Sequence, residues 1–182
     1  MFNYARMIYH SKGTKENKKE AARWYKTAAD FGDSRSIYNY AVMCDEGDGI
    51  PVNKEEAIKY YKISIKKGSV DAMHNYSLLL SSGNGCEIDY KESARIFKMA
   101  ADLGKIEAMH NYGCSLYKGE GVEMNKEEAA FYFKKAADNG FIESMYHYGQ
   151  MLRNNEIKGK KGDAAYYLKA SADKGFVQSM YI

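Results

Sequence analysis

The stretch Ala108–Gly140, AMHNYGCSLYKGEGVEMNKEEAAFYFKKAADNG, decides how the chain is read. Thirty-six residues earlier, Ala72–Gly104 reads AMHNYSLLLSSGNGCEIDYKESARIFKMAADLG. A further 36 residues back, Ser36–Gly68 reads SIYNYAVMCDEGDGIPVNKEEAIKYYKISIKKG. A fixed period of this length marks stacked helical units, because each unit buries its apolar face only on its neighbours. The spacing predicts an all-α solenoid of antiparallel helix pairs, about five 36-residue repeats long, forming a single domain over residues 1–182.

Each unit closes on a glycine: Gly32, Gly68, Gly104, Gly140 and Gly175, at spacings of 36, 36, 36 and 35. Each ends a helical pattern where the backbone must turn left-handed. A first helix, A, then a loop, then a second helix, B, follow every glycine. Helix A places Ser36, Ala72, Ala108 and Ser144 four residues before Tyr40, Tyr76, Tyr112 and Tyr148, which is one face alternating small with large. Helix B carries Ala21, Ala57, Ser93, Ala129 and Ala164, each followed by a bulky pair at helical spacing.

The A–B loop reads Gly-x-Gly at 47–49, 83–85 and 119–121. No strand pattern precedes it, so it is read as a tight turn and not as a phosphate loop. Helix B is expected to open on Asn17, Asn53, Asp89 and Asn125. A glutamate three residues on could return a reciprocal bond to each cap. The fifth unit lacks Gly-x-Gly and has Lys160 in the capping place, which predicts a rearranged loop and a weaker cap. The chain begins inside one helix A and stops inside another, giving eleven helices, two of them shortened. The last half-unit, with Phe176, Val177, Met180, Tyr181 and Ile182, has no helix B to cover it. It is expected to make end-to-end contacts or to fray past Ser179.

Lysine and arginine number 27 against 24 acidic residues, a net charge of +3. That balance argues against nucleic acid or a membrane surface as the dedicated partner. Cys44, Cys86 and Cys114 fall at three different repeat positions, which suits reduced thiols in an intracellular, cytoplasmic setting better than a disulfide framework. No catalytic or nucleotide-binding motif appears, so neither an enzyme nor a cofactor is expected. His74 and His110 share a repeat position about 8–10 Å apart by helix packing, and no cysteine or carboxylate completes a set by spacing, so no metal site is expected. Lys26, Lys62, Lys98, Lys134 and Lys169 recur on helix B among glutamates, which reads as a solvated outer face.

These residues resemble the Sel-one-like repeat family, a relative of the tetratricopeptide repeats. The pattern is carried most fully by Gly113, Gly119, Gly121, Val122, Asn125, Ala129, Tyr132, Phe133, Ala136, Ala137 and Gly140. The resemblance implies a right-handed superhelix with the A helices on its concave side, and a role as an adaptor or scaffold that recruits proteins. On that side the sequence places Asn39, Asn75, Asn111 and His147 in one register, and Tyr38, His74, His110 and Tyr146 one residue earlier. Asp71, Glu107 and Glu143 stand one turn before the last three members of the first set. An asparagine ladder can pair with peptide bonds, and the acids would favour a basic protein or peptide segment. The same ladder can instead tie neighbouring repeats together. The resulting expectation is a non-enzymatic protein-binding scaffold. The alternatives are a self-associating piece of a larger repeat protein and an accessory module of an enzyme.

Overall fold

The computed structural model describes residues 1–11, 14–160 and 162–179. Among them are ten α-helices and no strand. They are α1 (Phe2–His10), α2 (Lys15–Asp30), α3 (Ser34–Glu46), α4 (Lys54–Lys66), α5 (Val70–Ser82), α6 (Tyr90–Asp102), α7 (Ile106–Lys118), α8 (Lys126–Asp138), α9 (Ile142–Arg153) and α10 (Asp163–Asp173). A short 3-10 turn, Val177–Ser179, stands where a sixth helix A would begin. Odd-numbered helices are the A helices and even-numbered ones the B helices. The chain forms two compact units, Met1–Ile88 and Asp89–Ile182. Within each unit, successive helices pack against one another.

The closing glycines are left-handed, with φ between 85° and 93° at Gly32, Gly68, Gly104, Gly140 and Gly175. At Gly140, its N–H donates to Ala137 O and the Phe141 N–H reaches back to Ala136 O. This pair of bonds satisfies carbonyls that the end of α8 leaves free, and it turns the chain into α9.

Three of the four expected caps start their helices. Asn53, Asp89 and Asn125 each accept, through Oδ1, the backbone N–H of the glutamate three residues on, at 2.9–3.0 Å. The reciprocal half is replaced in two of them. The Asn53 N–H donates to Cys44 O and the Asn125 N–H to Leu116 O, so each cap is tied to the A helix before it. Asn17 is not a cap. Helix α2 starts at Lys15 with Thr14 as its N-cap, and Asn17 Nδ2 donates to Ser11 O at 2.6 Å. With Thr14 accepting the Asn17 N–H, the helix gains most of a turn at its start.

Aromatic edges and small residues set the packing. In the first unit Tyr40 meets Tyr60 edge-on at 4.9 Å. In the second, Tyr112 meets Tyr132 and Tyr148 meets Tyr167 at the same distance and near 90°. The B-helix tyrosines also reach the preceding B helix. Tyr60 donates to Asp30 at 2.9 Å, Tyr132 to Asp102 at 3.2 Å and Tyr167 to Asp138 at 2.6 Å. Each rung joins buried aromatic area to a charge-assisted hydrogen bond.

Four of the five lysines in the B-helix series have partners. Lys26 pairs with Glu56, Lys98 with Asp102 and Lys134 with Asp138, and Lys62 lies over the Tyr76 ring. Pairs as exposed as these contribute about 0–1 kcal/mol each.

In the fifth unit, α10 begins after Gly162 without a side-chain cap, as Lys160 predicts. The Lys160 N–H instead donates to Asp163 Oδ2 at 3.0 Å. Glu156 anchors the loop, accepting from Tyr117 at 3.2 Å and pairing with Lys126 at 2.8 Å. This arrangement repeats the first unit, where Asp48 accepts from Tyr9 and pairs with Lys18. The loop has lost the Gly-x-Gly pattern and kept its acidic anchor. At the end of the chain Ser179 is buried and donates to Ser171 Oγ at 2.9 Å. Met180, Tyr181 and Ile182 lie outside the described residues.

Gly113 and Gly121 are among the glycines required by close approach. A Cβ on Gly113 would come within 2.9 Å of the Phe133 ring. A Cβ on Gly121 would come within 2.0 Å of the Tyr90 carbonyl oxygen, at a φ of +76°. Gly140 is left-handed too, with open space around it. Replacing Gly113 by Leu overpacks the α7–α8 crossing and should cost about 1–3 kcal/mol. Gly121→Ala adds a backbone clash to the left-handed strain of about 1–2 kcal/mol that Gly140→Ala meets alone. Thermal unfolding of the three variants should therefore place Gly121→Ala below Gly140→Ala. Equal melting temperatures for those two would remove the close approach from the account.

Candidate functional site

The residues proposed from the sequence fall into two sets, one in each compact unit. In the first, Asn75 on α5 reaches inward. Its Nδ2 donates to Tyr61 Oη at 3.2 Å and to Tyr38 Oη at 3.4 Å, and its Oδ1 lies 3.4 Å from His74 Nδ1. Tyr61 is fully buried and donates to Asp45 at 3.1 Å, and Asp45 pairs with Lys54. Burial pushes the Tyr61 phenol up, so it stays protonated and can act as donor and acceptor together. Asn75 therefore joins α3, α4 and α5.

Asn39, its counterpart on α3, is half-buried and donates to its own helix at Arg35 O, 2.8 Å away. It borders two shallow cavities of about 300 and 320 Å³. One is floored by Phe2, Tyr9 and Met43, and the other lies between Tyr38 and Asp71. Arg35 and Lys67 line the second cavity beside Asp71, so its rim carries both signs.

In the second unit, Asn111 is half-buried, and Glu107 pairs with Lys105 at 3.4 Å. Glu143 is exposed, and Tyr146 leans on Phe176, their rings 5.2 Å apart. His147 stacks on Phe133 at 5.2 Å and 19°. His110 lies against Phe133, Phe141 and His147, with ring centres 4.9–5.6 Å away.

The expectation that no cysteine converges on the histidines is corrected here. His110, Cys114 and His147 each offer a ligand atom, and these atoms all lie within 4.8 Å of one another. The histidines that share a repeat position, His74 and His110, are not the pair that meets. His147 stands one residue later in its repeat than His110, and Cys114 lies one turn along α7 from His110. The spacing His-x-x-x-Cys on a predicted helix is the signal that could have found the cluster. Burial, with His147 alongside, pushes the His110 imidazole down to about 4, and burial pushes His147 down as well. Burial raises the Cys114 thiol to about 11. All three groups are uncharged near neutral pH.

A larger open cavity, about 1110 Å³, lies between α8 and the fifth loop, bordered by Phe131, Lys134, Tyr148, Leu152 and Lys158. One repeat earlier a smaller cavity, about 410 Å³, is lined by the equivalent Ala94, Arg95, Lys98 and Tyr112.

Helix pairs recurring every 36 residues, with no strand among the described residues, define an all-α helical repeat solenoid. The Sel1 repeat model matches residues 1–33, 34–69, 70–105, 106–141 and 144–176, and the chain belongs to the Sel1 repeat family. Sel1 repeat proteins are generally protein-interaction scaffolds without catalysis of their own. A Sel1 repeat protein from Oxalobacter formigenes superposes with a TM-score of 0.86 at 27% identity, over 98% of this chain and 74% of that one. The protective antigen c5321 of uropathogenic Escherichia coli, which displays the same fold, gives 0.91 at 23% identity, over 98% of this chain and 38% of the antigen. Immunity protein Pa5087 of Pseudomonas aeruginosa gives 0.58 at 18% identity, over 98% and 66%. No curated protein sequence matches the chain. Among the described residues, no helix is long and apolar enough to cross a membrane.

The Asn75 bonds make a direct prediction. Asn75→Ala should cost about 0.5–1.5 kcal/mol, more if Tyr61 is left short of a partner. Asn39→Ala should cost less, since its bond to Arg35 O stays within one helix. Paired melting curves of the two variants check the order.

Proposed function

We propose that this chain is a non-enzymatic scaffold that holds a protein or peptide segment on its A-helix face. The 36-residue period runs through both compact units, as in one repeat domain. The observation that carries the reading is the position of Asn39. It borders two shallow cavities lined by aromatic residues, and its one side-chain bond among the described residues leaves Oδ1 and the second amide hydrogen for a partner's peptide group. Phe2, Tyr9 and Tyr38 offer flat apolar area beside it. In the second unit Asn111, Tyr146 and Glu143 occupy the corresponding repeat positions and are proposed to serve the A-helix face of that unit.

Asn75, with Tyr61 and Tyr38, supports the face from within and is not assigned a contact to the partner. Asp71, Glu107 and Glu143 favour basic residues in the bound segment. Arg35, Lys67 and Lys105 beside the first two temper that preference. Individual hydrogen bonds here are worth about 0.5–1.5 kcal/mol net, which suits micromolar affinity built from several repeats.

Selection of random peptides on the immobilised chain tests the reading. Enriched peptides should bind with micromolar affinity, weaken with salt and lose about tenfold on Asn39→Ala combined with Tyr38→Ala. The outer-face pair Lys98→Ala with Lys134→Ala should leave them unchanged. No enrichment, or peptides indifferent to the inner pair in a folded variant, would overturn the assignment.

A further inference from the structure

The cluster on α7 and α9 is built differently from the rest of the A-helix face. His110 and Cys114 project from one side of α7, four residues apart, and His147 comes from α9 opposite them. All three side chains are half-buried. Cys114 Sγ lies 3.6 Å from His110 Nε2. Zinc bonds of about 2.05 Å to nitrogen and about 2.3 Å to sulfur, at tetrahedral angles, hold N and S about 3.6 Å apart. The third ligand atom lies within 4.8 Å of both, so small side-chain rotations bring all three onto one ion.

A second contact orients the first histidine. His110 Nδ1 is 2.9 Å from the Oγ of Ser144, a fully buried residue on α9. With the ring proton on Nδ1 donated to that oxygen, the Nε2 lone pair points toward Cys114. Metal-bound imidazoles are held in this way by a partner on the other ring nitrogen. The same bond fixes α7 to α9, which carries the other histidine. Phe133 and Phe141 surround the rings and limit water on that side.

We propose that His110, Cys114 and His147 form a three-ligand site for a zinc ion, with the fourth position open to water or to a donor from a bound protein. Two nitrogens and one thiolate suit a borderline-soft ion and disfavour calcium or magnesium, which take oxygen ligands. Binding is a proton exchange. The thiol S–H bond breaks as the S–Zn bond forms, the proton leaves to solvent, and no electron is transferred. The site is separate from Asn39 and its cavities, so loss of either leaves the other standing.

Cobalt(II) is the optical probe. The full-length chain, reduced and stripped with chelator, should bind one equivalent, with tetrahedral visible bands and a near-ultraviolet thiolate-to-cobalt band. Zinc should displace the cobalt and raise the melting temperature. Cys114→Ala should remove the thiolate band and the thermal shift, and His147→Gln should weaken binding at least tenfold. Cys86→Ser, away from the cluster, should change neither. If the Cys114 variant fails to fold, the wild-type chain still decides the matter, because zinc should protect Cys114 from alkylation, read peptide by peptide by mass spectrometry. Cobalt spectra lacking a thiolate band, a band that survives Cys114→Ala, or Cys114 alkylation indifferent to zinc would each overturn the site.

Discussion

The absence of a side chain at Gly113 sets how closely α7 and α8 cross. The Phe133 ring occupies the space a Cβ would need, 2.9 Å from where that atom would sit. Packing at interior density makes such a seat restrictive, since one added methyl must displace a ring or a helix. The edge-on pair Tyr112–Tyr132 lies on the same two helices. Gly149 receives Leu168 in the same way at the next crossing, so the device repeats even though the inserted side chain changes.

That seat also places chemistry. Phe133, lodged over Gly113, is the ring on which His147 stacks and beside which His110 lies. A bulky position found in every repeat, here filled by phenylalanine, thus fixes the approach of His110 and His147. Ser144, one of the small residues that lets helices come close, does similar double duty by meeting His110 Nδ1. The cluster draws its order from the scaffold.

What could be read in the sequence was what the repeat states more than once. The period, the closing glycines, the tyrosine positions and three caps on helix B all appear several times, so chance matches cancel. Asn17 was misassigned because it occupies the capping register of its repeat while Thr14 offers an earlier cap with the same chemistry. The reciprocal capping bond was misjudged because Cys44 and Leu116 carbonyls compete for the cap amides, and no local pattern announces them. The histidine–cysteine cluster escaped because reasoning by repeat compares equivalent positions, whereas His110 and His147 are one residue out of equivalence. Asn75 posed the opposite difficulty. Its ladder was visible, but whether it points outward or ties helices together depends on Tyr61 and Tyr38 being within reach.

That one-residue offset turns a uniform array into an addressed one. The position filled by Cys114 holds Val42, Leu78 and Gln150 in the other repeats, and the position of His147 holds Asn39, Asn75 and Asn111. Every repeat offers the same backbone slots, but among the described residues only one junction is spelled with a His/Cys set of donors that could share an ion. A chain of near-copies can therefore carry a mark at a chosen distance from its ends, counted in whole repeats. Insertion or loss of a complete repeat elsewhere would move that mark along the array while leaving the local geometry of its junction untouched.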